Sequence, residues 1–243
     1  MSKNIVKVRA EFHVHTRFSH DSALTKYFLF FMCKIKRIKY LAITDHNEIK
    51  GALKYKDFFQ KHGITVIVGE EIFTKDGEII GLYLNERIEP KLSASDTIKE
   101  IRRQKGLVYI PHPYDGKRHK TVIDEDVLRK IKNDVDFIEC HNGRNIKKEY
   151  SDVQDRMADE LNITKIIGSD VHTFYEVGRN YCLVNPFTKE TLVKEIKTAT
   201  FHKKNCLKFA HFHTKIVRLI KLIKGGNFSE LSRIINKKLK RSR

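Results

Sequence analysis

The chain has 243 residues, 40% of them hydrophobic, which is enough for one large domain or two small ones. A 32% charged fraction without low-complexity tracts excludes wholesale disorder. The formal charge is +18, but residues 203–243 hold thirteen Lys and Arg against the single acid Glu230, so the excess sits in a tail and total charge alone does not make a nucleic-acid binder.

In chain order, strand-like runs fall at 6–13, 40–43, 65–68, 78–84, 107–110, 137–140, 165–167 and 180–184. Helix-like windows lie at 25–38, 48–61, 124–133, 147–161 and 188–199, with a further one capped by Ser95-Asp96-Thr97 and stopped at Gly106. The turn Thr74-Lys75-Asp76-Gly77 joins the third and fourth runs as a hairpin or an excursion. Repeated strand–helix alternation implies an α/β fold with a parallel sheet or barrel. Residues 1–200 read as one domain and 201–243 as a basic amphipathic helical extension. No run is long enough to span a bilayer; the apolar stretch 27–32 is far too short and is flanked by lysines. Cys33, Cys140, Cys182 and Cys206 form no CxxC pair and no signal-peptide pattern is seen, so the expected location is cytoplasmic.

The informative feature is where histidines and carboxylates fall. His13 and His15 end the first strand, with Asp21 six residues on. Asp45 and His46 end the second, Glu70 and Glu71 the third, and Glu78 opens the fourth. His112, then Glu139 and His141, then Asp170 and His172 follow the later strands. Strand C-termini of a barrel open onto one face, so six segments deliver imidazole or carboxylate to one rim. A single histidine after a strand is ordinarily a solvated or structural residue. A whole rim of such groups would carry heavy repulsion and desolvation costs, and divalent cations relieve them. The set exceeds one tetrahedral site, so two or three cations are expected. His13-Val14-His15 and Asp170-Val171-His172 alternate as strands do, placing each pair on one side.

These segments resemble the polymerase-and-histidinol-phosphatase (PHP) superfamily. The matching elements are Glu11-Phe12-His13-Val14-His15-Thr16 with Ser19-His20-Asp21, Ile43-Thr44-Asp45-His46-Asn47, Gly69-Glu70-Glu71-Ile72, Ile110-Pro111-His112-Pro113 and Gly168-Ser169-Asp170-Val171-His172, in order over residues 8–185. The resemblance implies a distorted (β/α)7 barrel, a trinuclear centre and hydrolysis of phosphoesters by a metal-activated hydroxide. Carried over, it assigns one ion to His13, His15, Glu71 and Asp170. Glu71 bridges to a second that His112 also binds, and Asp21, His46 and His172 hold a third. Glu71 is preferred to Glu70 because the family motif places its glutamate second after the glycine. Where the family often has a histidine, Glu78 stands, which favours harder ions such as manganese; zinc, manganese or iron are the expected metals.

No Ser or Cys sits in an elbow motif, and no P-loop or GxGxxG pattern occurs. Candidate proton donors to the leaving group are Asp45, His141 and His172; His141 could equally be a ligand or a substrate contact. Arg17, Arg144 and Arg179 are candidate phosphate contacts, and the loop 115–120 gathers further positive charge. The expected substrate is a small phosphomonoester. The alternatives are a nuclease or end-processing phosphatase served by the tail, and a non-enzymatic protein stabilised by metal. For the tail itself the readings are an acidic membrane surface, a nucleic-acid backbone, or an apolar stripe packed on the barrel with solvated lysines.

Overall fold

The computed structural model describes residues 6–118, 120–207 and 209–239. Nine strands form one sheet in the order β7-β6-β5-β4-β3-β2-β1-β8-β9. They are β1 (Val8–Val14), β2 (Ile38–Ile43), β3 (Thr65–Phe73), β4 (Glu78–Leu82), β5 (Leu107–Ile110), β6 (Phe137–Asn142), β7 (Thr164–Gly168), β8 (Tyr181–Val184) and β9 (Thr200–His202). The ends meet where Val171 N donates to His13 O at 3.2 Å and His15 N to Val171 O at 2.8 Å, so β1 through β7 close into a distorted α/β barrel. β8 lies antiparallel against the first half of β1 and holds the closure partly open.

The helices are α1 (Lys26–Ile35), α2 (Lys50–Lys61), α3 (Ala94–Arg103), α4 (Glu125–Ile131), α5 (Lys148–Leu161), α6 (Leu192–Lys197), α7 (Ala210–Lys224) and α8 (Phe228–Leu239). α3 is capped by Ser93, whose hydroxyl accepts from Asp96 N, rather than at Ser95. The 74–77 turn makes a true hairpin: β4 runs antiparallel to both β3 and β5, a departure from an all-parallel barrel. The window 188–199 shortens to α6, because its last residues turn into β9, an edge strand the sequence pattern does not announce.

Strand alternation sorts the core into two clusters. Ala42, Ile67, Ile80, Tyr109 and Phe137 belong to one, with Phe12 and Phe187 among their neighbours. Leu41, Ile43, Val66, Val68, Val108 and Ile110 belong to the other, with Leu29, Phe59, Ile101 and Leu128 from the covering helices. The same parity decides between the adjacent glutamates. Glu71 falls in step with Ile67, whereas Glu70 falls in step with Val66, Val68 and Ile72.

Glu70 is fully buried and its Oε2 accepts from Ile88 N at 2.8 Å, leaving Oε1 without a partner. Burial raises its carboxyl pKa from the ordinary 4.5 to about 7. The fold thus holds the protonated form: this group's stability is complete below pH 4.5 and is lost as pH climbs to about 7. Glu70→Gln keeps an acceptor for Ile88 and removes the titration. In urea melts it is expected to stabilise the protein at pH 8 by up to about 3 kcal/mol and to do much less at pH 5.

Candidate metal centre

Glu71 sits at the middle of the barrel mouth, almost fully buried. Its Oε1 lies 3.3 Å from His13 Nε2 and 3.0 Å from His112 Nε2. Its Oε2 lies 3.2 Å from His15 Nε2 and 2.9 Å from His46 Nδ1. Four imidazoles from three segments therefore surround one carboxylate. Asp170 Oδ1 stands 3.7 Å from both His13 and His15. On the other side Asp21 meets His172 Nε2 at 3.2 Å and His46 Nε2 at 3.6 Å. Glu78 approaches His46 at 3.8 Å and His112 at 3.5 Å. All nine expected ligands thus converge, and several triads among them place donor atoms within 4.8 Å of one another.

The local backbone is shaped for this. His13, His112 and Asp170 adopt positive φ of 67°, 29° and 49°, a left-handed region costly for residues with a Cβ. His13 lies where the pairing of β1 with β2 shifts register, so a bulge aims it into the mouth.

A surrounding layer fixes the imidazoles. Glu139 accepts from His13 Nδ1 at 2.7 Å, Tyr109 Oη at 2.6 Å, His112 N at 2.6 Å and Asn142 Nδ2 at 2.8 Å. A Cβ on Gly168 would collide with that carboxylate, which explains the glycine there. Asp45 accepts from Thr16 N and Oγ1 at 2.6 and 2.7 Å, and from Ser19 N and Oγ at 3.2 and 2.7 Å. With its proton given to Asp45, the Ser19 hydroxyl accepts from His15 Nδ1 at 3.0 Å. His172 Nδ1 donates to Asp170 O at 3.0 Å. In His13, His15 and His172 the Nδ1 carries a proton and Nε2 faces the carboxylates.

Burial opposes charge throughout the cluster, but for Glu71 the nearby His13 and His46 outweigh it and hold the carboxyl well below its usual range. Burial likewise opposes protonation of His13 and His46, yet Glu71 and its fellow carboxylates raise both. His15 is driven down by burial and by the neighbouring His172 and His46. The donor set fits divalent cations: neutral imidazole and carboxylate oxygen are their ligands, and buried His13 Nε2, His15 Nε2 and Asp21 Oδ1 have no hydrogen-bond partner in the protein.

The remaining expectations separate. Asp45 braces the loop 16–19, both its oxygens already engaged. His141 leaves the cluster: the β6–β7 register shifts between Glu139 and His141, so the bulge keeps Glu139 at the mouth and turns His141 away. There it pairs with Ser151 Oγ at 2.8 Å and Asn180 Oδ1 at 3.2 Å, in a different cavity. Arg17 is exposed and lines a cleft with Phe18, Lys26 and Tyr55, and Arg179 bonds Asn205 O at 3.1 Å; neither lines the cavity over the cluster. Arg144 does line it, almost fully buried, its Nη1 without a hydrogen-bond partner and 3.9 Å from Glu176.

Sequence reasoning passed over Arg118 and the roof of the site. Arg118 Nη2 donates to Asp170 Oδ2 at 2.7 Å; its only signal is the cationic loop it belongs to. The cavity over the cluster, about 290 Å³, is closed on one side by His211, Thr214, Lys215 and Arg218 of α7. Arg144 Nη2 donates to Thr214 Oγ1 at 2.7 Å, His211 Nε2 donates to Arg144 O at 3.0 Å, and Lys221 Nζ bonds the carbonyls of Arg17 and Ser19 at 2.8 and 2.5 Å. α7 thus turns its polar face to the barrel and its apolar stripe to solvent, the reverse of the packing reading. The inward spacing is Ala210, Thr214, Val217, Lys221, and only Ala210 and Val217 of this helix are buried.

Imidazoles sharing carboxylates at a barrel mouth form a donor set suited to divalent cations. The chain belongs to the PHP domain family, whose profile matches residues 11–230. It is similar to two uncharacterised proteins of Methanocaldococcus jannaschii. One is 40% identical over 117 residues, 44% of this chain and 68% of the relative; the other is 32% identical over 176 residues, 72% of this chain and 69% of the relative. Its fold is also that of a Bacteroides vulgatus two-domain protein containing a predicted PHP-like metal-dependent phosphoesterase. The TM-score is 0.65 at 16% identity, over 82% of this chain and 65% of that one, so the chain spans just under two thirds of that structure. Among the described residues no helix is long and apolar enough to cross a membrane.

Two outcomes follow from this geometry. Ser19→Ala, which frees His15 to rotate, is expected to weaken metal affinity about 10- to 100-fold in chelator-competition titrations. Since carboxylates hold His13 and His46 protonated above the ordinary histidine range, ion uptake displaces protons and affinity rises with pH. Calorimetry in buffers of different ionisation enthalpy should report net proton release on binding.

Proposed function

We propose that this protein hydrolyses small phosphomonoesters, with two or three divalent cations held by His13, His15, Asp21, His46, Glu71, Glu78, His112, Asp170 and His172. The ring of four imidazoles around Glu71 carries this reading, because a buried carboxylate so placed is a natural bridge between two ions. Ions bound there would supply a water of lowered pKa and neutralise the phosphate oxygens. The substitution of Glu78 for an imidazole adds negative charge and favours manganese or another hard ion over zinc.

The protein's own groups then bind and orient the ester. Arg144 lines the cavity, with its Nη1 buried beside Glu176, and Arg118 stands beside Asp170; both guanidinium groups suit phosphate oxygens. The Nδ1–H of His172 is committed to Asp170 O, and Asp45 and His141 are engaged away from the cavity, so none of the three is a free acid. The leaving oxygen therefore takes its proton from solvent in the open cavity. That cavity, about 290 Å³ under the roof of α7, is at the small end for ligand sites, which supports a metabolite-sized ester over a polynucleotide.

The test is phosphate release from a panel of phosphomonoesters and oligonucleotides with added manganese; turnover of oligonucleotides alone would overturn the small-ester reading. Glu71→Ala is expected to lose more than about 100-fold in rate, beyond the loss from an outer-layer residue. Arg144→Ala should lower kcat/KM roughly 10- to 100-fold, the worth of a charge-assisted hydrogen bond, mainly through KM. Arg17→Ala should leave both parameters unchanged.

A further inference from the structure

We propose that this protein docks on anionic lipid bilayers through an apolar band formed by α1, the loop at Phe174 and the outer face of α7. On α7 the residues Phe209, Phe212, Ile216, Ile220 and Ile223 recur at helical spacing and are 39–66% exposed. α1 presents Phe28, Phe31 and Ile35 in the same manner, each more than half exposed. The two stripes are continuous: Phe28 meets Phe174 at 6.1 Å between ring centroids, Phe174 meets Tyr175 at 5.3 Å, and Tyr175 meets Phe209 at 4.9 Å. Soluble monomers rarely expose so extended an apolar surface.

Charge selects the occupant. Residues 22–40 contain five Lys and Arg and no acid, and residues 203–243 contain thirteen against one. Lys34, Lys215 and Lys224 are exposed on the same helices, Arg37 in the turn that follows α1, and Lys203 and Lys204 in the segment leading into α7. Apolar side chains that enter the acyl boundary, bordered by lysines at headgroup level, match an acidic bilayer surface. A second copy of this chain would bring like charge against like charge. A nucleic-acid backbone would use the lysines and leave the isoleucines and phenylalanines in water.

Co-sedimentation with phosphatidylcholine vesicles, with and without phosphatidylglycerol, tests this on the full chain. The protein is expected to pellet with the anionic vesicles, to stay in solution with the neutral ones, and to be released by added salt. Phe212→Asp combined with Ile216→Asp should lower the partition roughly tenfold or more, and Phe31→Asp should do so independently. Both should keep wild-type metal content and thermal melting, since these side chains are already solvent-exposed. Failure of the wild type to pellet, or unchanged pelleting of both variants, overturns the proposal. So does a concentration-dependent dimer that Phe212→Asp dissolves, or an oligonucleotide shift that depends on Phe212 in a protein that ignores vesicles.

Discussion

The structure depends on one buried carboxylate holding four imidazoles within 3.3 Å. Glu71 comes from β3, and its partners come from β1, from the turn after β2 and from the turn after β5. The hydrophobic clusters on the two sides of the sheet set the strand order. The carboxylate then ties the open ends of those strands together, where apolar packing gives way to ionisable groups. Such a concentration of charge is costly to bury, and it is held in place where Glu139 and Ser19 fix the Nδ1 of His13 and His15 so that each Nε2 faces inward.

Backbone strain is concentrated at the same place. Three of the residues at the mouth, His13, His112 and Asp170, adopt left-handed conformations that glycine would occupy more readily. Their side chains are needed there, so the strain is carried by the surrounding lattice of Glu139, Asp45 and Ser19 hydrogen bonds. Gly51 and Gly168 complete that lattice by omission: a Cβ on either would strike Asp45 or Glu139. Strain held in place by packing is a common means of presetting a binding site.

Much of this was legible in the sequence. The strand–helix alternation announces the barrel, and the ordered set of His and carboxylate motifs names the nine residues that converge. Strand parity would by itself have separated Glu71 from Glu70, since Ile67 and Glu71 are four residues apart on one strand. What escaped the sequence has physical causes. His141 was expected at the rim because alternation carries Glu139 and His141 to the same face, and a bulge between them breaks that alternation. Asp45 reads as a titratable acid until its four donors are seen, and those lie 26 to 29 residues away in sequence. α7 is amphipathic on any helical wheel, but the wheel does not say which face the barrel takes. Here two buried side chains and four hydrogen bonds outcompete five large apolar residues, because Arg144 and the carbonyls of Arg17 and Ser19 find partners at that spot.

Lys221 joins α7 to the loop whose Ser19 hydroxyl supports His15. The roof and a buried imidazole are therefore linked by a short mechanical path that bypasses the barrel wall. Lifting the helix would tug first on the Ser19 carbonyl, one residue's backbone away from the hydroxyl that His15 leans on. A load applied to the tail is in this way felt at the deepest part of the mouth before any strand has moved.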